Sequence, residues 1–235
     1  QSQLTTVGSL TAFQGVELIS ETRGVVESVL FESGQQVTSG QTLVQLNNSV
    51  EQALLATAEA SLGLARLEFK RAEDLLKRQA LAKSEFDRLA AELAKSQATV
   101  DQLKAVLAKK TIVAPFSGTI GIRKINVGSY LSSNSPFGTL QDLSRLYLDF
   151  FLPEQNLPLL KTGQTVQVKV SAYPEEVFEA KIVALNPKVE SSTRNVQVRA
   201  ELSNPHGKLL PGMFAGLVVL YKDPEAAVVV PETAV

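Results

Sequence analysis

One histidine, one methionine and no cysteine leave this 235-residue chain little with which to do catalysis. His206 stands in a loop sequence between Asn204-Pro205 and Gly207. A metal site or a nucleophilic triad would need converging partners, and a chain without a thiol or a second histidine does not offer them. His206 therefore reads as a structural or solvent-facing residue. Met213 is alone before a strand, which argues against methionine-based copper handling. Glu175, Glu176 and Glu190 could form an acid/base pair, but they fall in predicted turns with no pocket implied. No glycine-rich phosphate loop is present, so energy for any work must come from a partner. The expectation is a protein that is not an enzyme and carries no metal or cofactor.

A net charge of −1 gives no pointer to nucleic acid or acidic lipid. Arg66, Lys70, Arg71, Lys77 and Arg78 form the densest basic run, and Glu59, Glu68, Glu73 and Asp74 interleave with them as on a solvated helix. The lack of cysteine excludes a disulfide framework and leaves a periplasmic location open. No stretch approaches the roughly twenty apolar residues that span a bilayer.

The surrounding elements are readable. Gly24, Val26, Val29, Phe31, Gly34 and Val37 recur at identical spacing as Gly118, Ile120, Arg123, Ile125, Gly128 and Leu131, with position 123 the one departure. Alternating apolar residues predict strands buried on one face, and the paired glycines predict turns with positive φ. Two four-strand halves would close one flattened barrel. Between the copies, residues 47–110 contain no proline and one glycine, Gly63. Leu55, Ala58, Leu62, Ala65, Phe69, Ala72 and Leu76 step by three and four, as do Phe86, Leu89, Leu93, Ser96, Val100, Leu103 and Leu107. Both are coiled-coil seams, and residues 77–85 are short enough to require an antiparallel reversal. Leu64, Leu67 and Leu75 lie off the seam and are candidates to face a neighbouring subunit or partner. Beyond residue 140, strand-like runs at 146–152, 165–171, 177–183, 196–202 and 214–221, with a short helix at 153–161, predict a small β-barrel.

Residues 24–46 resemble one half of a biotinyl/lipoyl domain, and the stretch from Pro115-Phe116-Ser117-Gly118 to Gly128 resembles the other. A coenzyme carrier presents a modifiable lysine on a tight turn between such halves. Here that point carries Asn47-Asn48 followed by the helical insertion, so the swinging-arm reading is rejected. Further on, Asn186-Pro187, Thr193-Arg194, Val198-Arg199-Ala200, Asn204-Pro205, Gly207 and Leu210-Pro211-Gly212-Met213-Phe214 are similar to the barrel signature of periplasmic adaptors. These are the membrane fusion proteins of the HlyD-like superfamily, and the best fit is to adaptors of resistance-nodulation-division drug pumps. Val230-Pro231-Glu232-Thr233-Ala234-Val235 is similar to the start of that family's membrane-proximal domain.

The resemblance implies an elongated, mixed α and β, multidomain chain: N-terminal strands of the barrel region (1–20), a first lipoyl-like half (21–46), an antiparallel helical hairpin (47–111), a second half (112–140), a small antiparallel β-barrel (141–224) and the start of a truncated membrane-proximal domain (225–235). Gly24, Gly34, Gly118, Gly128 and Gly212 are its structural glycines. At the hairpin tip, adaptors that meet a TolC-like outer-membrane channel carry an arginine, a leucine four residues on, and a serine or threonine seven beyond that. Arg71 and Leu75 match the first two positions; the third falls on Ala82, with Ser84 two residues further. The implied partners are an inner-membrane, proton-driven transporter, a TolC-like channel and further copies of the chain in a ring of six, with no nucleic acid. The implied place is the Gram-negative periplasm, anchored to the inner membrane by a segment outside this chain. An adaptor of an ABC transporter or type I secretion system shares the same architecture. A biotin or lipoate carrier domain is the reading from another class.

Overall fold

The computed structural model describes residues 2–221, so the expected start of a membrane-proximal domain at 225–235 lies outside the described residues. The described residues divide into two compact units, one of residues 2–16 and 140–221, the other Glu17–Thr139.

In the second unit the repeated motif becomes a doubled structure. Strands β2 (Gly24–Val29), β3 (Gln36–Val37) and β4 (Thr42–Leu46) come from the first copy. The helices α1 (Ser49–Lys77) and α2 (Lys83–Ala108) follow, then β5 (Thr111–Val113), β6 (Gly118–Ile120) and β7 (Tyr130–Leu131). Each half strand pairs with the other half. Gly24 faces Leu131 and Val25 faces Tyr130, while 94 positions along the first chain segment Gly118 faces Val37 and Thr119 faces Gln36. The same offset relates the turn bonds. The Gly34 N–H donates to the Ile120 carbonyl at 2.9 Å, and the Gly128 N–H to the Val26 carbonyl at 2.9 Å.

The core obeys the offset as well. Val26, Phe31, Val37, Leu43 and Leu46 are buried, and so are the counterparts of the first four, Ile120, Ile125, Leu131 and Phe137. Burial of large apolar side chains from both copies, at about 1.5–3 kcal/mol each, is what holds this unit together. One four-stranded sheet has the order β5-β4-β2-β7. Its counterpart is built from β3, β6 and the ends of two long strands, β1 (Ser2–Ile19) and β8 (Pro136–Pro153).

The glycines divide by role. Gly34 and Gly128 have φ of 82° and 85°, as their turns require. Gly24 and Gly118, expected to do the same, do not: each begins a strand in extended backbone. The departure at Arg123 falls where the second copy stops being a strand. After Ile120 the backbone is irregular, and a Cβ on Gly121 would collide with Thr139 Oγ1, so any larger residue there requires the threonine side chain to turn away.

The hairpin follows its heptads. All seven seam positions of α1 and all seven of α2 are buried or half-buried, with Ala58, Leu62 and Val100 at the centre and Leu55, Leu93 and Leu103 against them. Near the reversal Phe69 and Phe86 stack with ring centroids 5.2 Å apart. Leu64, Leu67 and Leu75 are exposed.

In the first unit, β1, β8, β9 (Thr165–Val170), β10 (Tyr173–Glu190), β11 (Asn195–Ser203) and β12 (Phe214–Tyr221) form a closed ring of pairings, β1-β12-β9-β10-β11-β8 with β8 back to β1. Closure removes free sheet edges. Alternation puts Leu146, Leu148, Phe150 and Leu152 of β8 inside with Val198, Ala200 and Leu202 of β11. The expected short helix after Pro153 is a 3₁₀ turn, Glu154–Leu159, because Pro158 lacks the N–H that an α-helix would use. Asn204 is buried and uses its whole amide: Nδ2 donates to the Leu143 and Leu209 carbonyls, and Oδ1 accepts from the Leu209 N–H. Gly212, φ 89°, donates its N–H to the Leu10 carbonyl at 2.8 Å, tying the Pro211-Gly212 turn to β1.

Candidate functional site

The candidate site is the reversal between α1 and α2. Helix α1 runs 29 residues on strong helix formers, with Glu51 in its first turn and Lys77 in its last, both favourable to the helix dipole. It ends with two crossed bonds, Ala80 N–H to the Leu75 carbonyl and Gln79 N–H to the Leu76 carbonyl, each 2.9 Å. This Schellman arrangement needs a left-handed residue, and Gln79 supplies it at φ 58°. Ala82 is the N-cap of α2, in extended backbone, and has no side-chain oxygen to cap the helix.

Arg71 and Leu75, one turn apart, line an open depression of about 290 Å³. Glu68 and Ala72 of α1, Leu81 from the turn and Glu85, Arg88 and Leu89 from α2 complete its wall. Glu85 and Arg88 form a two-pronged ion pair, 2.7 and 2.9 Å, which holds the Glu85 carboxyl below its ordinary range and raises the Arg88 guanidinium above its own. Arg71 is exposed and forms no hydrogen bond or ion pair among the described residues, so its five N–H donors face water. Leu75 is 42% exposed, a small apolar surface beside a free guanidinium. Ala82 and Ser84 are exposed but stand outside the depression. Of the four tip residues singled out from sequence, the fold thus brings two together. The Glu85–Arg88 pair was missed, although its i, i+3 spacing was there to be read. Leu81 had no such signal.

Elsewhere the chemistry-bearing side chains stay apart. His206 is exposed; Glu176 pairs with Lys208 at 2.7 Å; Glu190 accepts from Ser192. No three potential metal ligands cluster among the described residues, and no described helix is long and apolar enough to cross a membrane. Next to the point where a carrier would bear its coenzyme, the Lys110 carbonyl accepts from the Leu46 N–H, and the lysine is buried.

Residues 14–141 match the family described as the RND MFP barrel-sandwich hybrid domain, over more than half of the chain. This protein belongs to the RND membrane fusion protein family. Residues 145–221 match a second description, the CusB-like β-barrel domain. Among relatives of the family, an uncharacterized protein of Haemophilus influenzae is 37% identical over 233 residues, covering 99% of this chain and 61% of its own length. The toluene efflux pump periplasmic linker protein TtgD of Pseudomonas putida is 30% identical, covering 97% of this chain and 64% of its own. The chain therefore spans about three fifths of these relatives. A solved MacA–MexA chimera carrying the Pseudomonas aeruginosa MexA α-hairpin superposes with a TM-score of 0.83 at 22% identity, over 94% of this chain and 79% of the chimera. That likeness shows the fold of this membrane fusion protein. It fits the architecture read from sequence, a split lipoyl-like β-domain, a helical hairpin and a β-barrel.

Proposed function

We propose that this membrane fusion protein is the periplasmic adaptor of a tripartite drug efflux system. It would join an inner-membrane, proton-driven pump to a TolC-like outer-membrane channel in a Gram-negative cell, and act through protein contacts instead of catalysis. The observation that carries this is the hairpin tip. A rigid two-helix arm ends in an unpaired guanidinium, Arg71, and an exposed Leu75 over one open depression. Such a pair suits a channel mouth: the planar fork can grip backbone carbonyls or carboxylates, and the leucine gives an apolar knob beside it. Ser84 offers an exposed hydroxyl where Ala82 has none. TtgD, by its name a periplasmic linker of a toluene efflux pump, supports the same role. The adaptor works as a ring of six, in which Leu64 and Leu67 face the neighbouring copy, and it is tethered to the inner membrane.

The test is drug accumulation in a strain lacking the gene, complemented with wild type, Arg71→Asp or Leu75→Asp. Wild type should restore low accumulation and both variants should remain at the level of the deletion while still folded. Full resistance in both variants would sink the docking role. Loss of protein or solute export without a change in drug accumulation would point to an ABC-linked or secretion adaptor.

A further inference from the structure

Lys110 is the one charged side chain buried among the described residues, 8% exposed, and nothing in the docking role uses it. It occupies the joint between α2 and β5, where the hairpin returns to the lipoyl-like sheets. Its ammonium lies 2.9 Å from Glu51 Oε1, in the first turn of α1, and donates to the Arg23 carbonyl, just before β2, at 3.1 Å. Its main chain is held as well. The Lys110 carbonyl accepts from the Leu46 N–H at 2.8 Å and from Gln45 Nε2 at 3.3 Å, and its own N–H returns to the Leu107 carbonyl. One residue therefore touches the end of α2, the start of α1, the end of β4 and the entrance of β2.

Three features set this apart from ordinary surface pairing. The neighbouring pair Lys109–Glu21 is mostly exposed on both sides, where an ion pair contributes little. Lys110 and Glu51 have side chains only 10% and 21% exposed, so their geometry is retained by the cost of leaving either charge alone. The repeat supplies a comparison too. Ninety-four positions earlier, where the chain enters the first half-motif, stands Val16, which is exposed. The β-fold of the half-motif thus does not require a buried lysine, and its presence belongs to the hairpin joint. α1 in turn has no side-chain cap from Asn48; Asn47 Oδ1 accepts from the Ser49 N–H at a long 3.4 Å, and Glu51 ties the same turn to Lys110 at 2.9 Å.

We propose that Lys110 is a positioning residue: by bridging Glu51 and the Arg23 carbonyl it fixes the direction in which the hairpin leaves the lipoyl-like sheets, and so aims the tip. The inference rests on the adaptor reading for its use, but its geometry is tested without any channel. The chain has no cysteine, so paired spin labels at Gln36→Cys in β3 and Ala98→Cys in α2, both exposed positions, report the hairpin's direction without background. In the full chain, Lys110→Met should at least double the width of the label–label distance distribution while helix content by circular dichroism is kept. Lys110→Met/Glu51→Leu should recover the melting temperature lost by the single variant, because an apolar pair replaces the stranded charge, yet its distribution should stay broad. A wild-type width in Lys110→Met, or a double variant as narrow as wild type, would overturn the proposal. If instead the distances behave as expected while Arg71→Asp leaves drug accumulation unchanged, it is the docking role that fails and the positioning role that stands.

Discussion

Asn134 stands 94 positions after Gly40, and the two backbones turn the same left-handed way, with φ of 65° and 80°. Each donates its N–H at 2.8 Å across the barrel, Gly40 to the Ala114 carbonyl and Asn134 to the Ser20 carbonyl, again related by the offset. The repeat has thus kept a turn while changing the residue that makes it, and asparagine is the side chain that tolerates this region best after glycine. Gly40→Ala should destabilise the unit by about 1–2 kcal/mol through the left-handed penalty alone, since open space surrounds the position. Asn134→Gly should be neutral or slightly stabilising. Thermal melts of the two variants check both signs.

The turn at the hairpin tip is under-optimised on both sides. Gln79 pays a left-handed cost that glycine would avoid, so Gln79→Gly should stabilise the hairpin by about 1 kcal/mol. Ala82 is an N-cap without an oxygen, three residues before Glu85, which is the spacing of a capping box. Ala82→Ser should add about 0.5–2 kcal/mol by accepting from a free first-turn N–H. Hydrogen exchange across residues 77–90 should slow in each variant. A serine that leaves exchange unchanged would show that this helix end is already satisfied by water.

The seams were legible because fourteen positions obey one spacing, and helix packing has no other way to bury them. The strands of the barrel were legible for the same reason at period two: all five predicted runs fall on β8 to β12, and only 165–171 overruns its strand, by one residue. What escaped depends on the third dimension. Gly24 and Gly118 look like turn residues in the repeat, yet each opens a strand, because a glycine's freedom does not say whether the chain will use it. β8 extends over residues 136–153, well beyond the 146–152 run that its alternation showed. At the tip, Arg71 and Leu75 could be placed on one helix face from spacing, but Leu81 and Arg88 join them only through the turn. Lys110 was the least readable of all: a lysine closing a helix ordinarily lies in water, and its burial depends on Gly24, Arg23 and Glu51 meeting from distant parts of the chain.

Asn204 gives the barrel a sharp test. Its amide makes three bonds inside a closed loop, and its N–H makes a fourth to the Ser144 carbonyl. Asn204→Leu would keep the volume and leave the Leu143 and Leu209 carbonyls and the Leu209 N–H without their partner. At about 1–3 kcal/mol for each unsatisfied buried group, partly relieved by water, a net loss of about 3 kcal/mol is expected. Asn204→Asp should also destabilise, because a carboxylate cannot donate to the two carbonyls that Nδ2 serves. His206→Ala, two residues away and exposed, should leave the melting temperature unchanged and serves as the control.

Acid should loosen the hairpin joint in a predictable sense. The hydrogen bond from Lys110 lowers the Glu51 carboxyl below its ordinary range, outweighing the desolvation that would raise it. A depressed carboxyl stabilises the fold fully above its unfolded value, about 4.3. The contribution then fades as pH drops through the lower folded value, where Glu51 takes up its proton. At neutral pH, Glu51→Gln should therefore cost about 1.5–3 kcal/mol, the worth of a hydrogen bond to a charged group. At pH 3, below the unfolded value, the gap between variant and wild type should have narrowed, because the unfolded chain takes up the Glu51 proton before the folded one does. Melting curves of both proteins between pH 7 and pH 3 measure that gap directly, which cancels the titration of every other carboxylate. A gap that stays constant over this range would mean that the Glu51 charge contributes nothing to the joint.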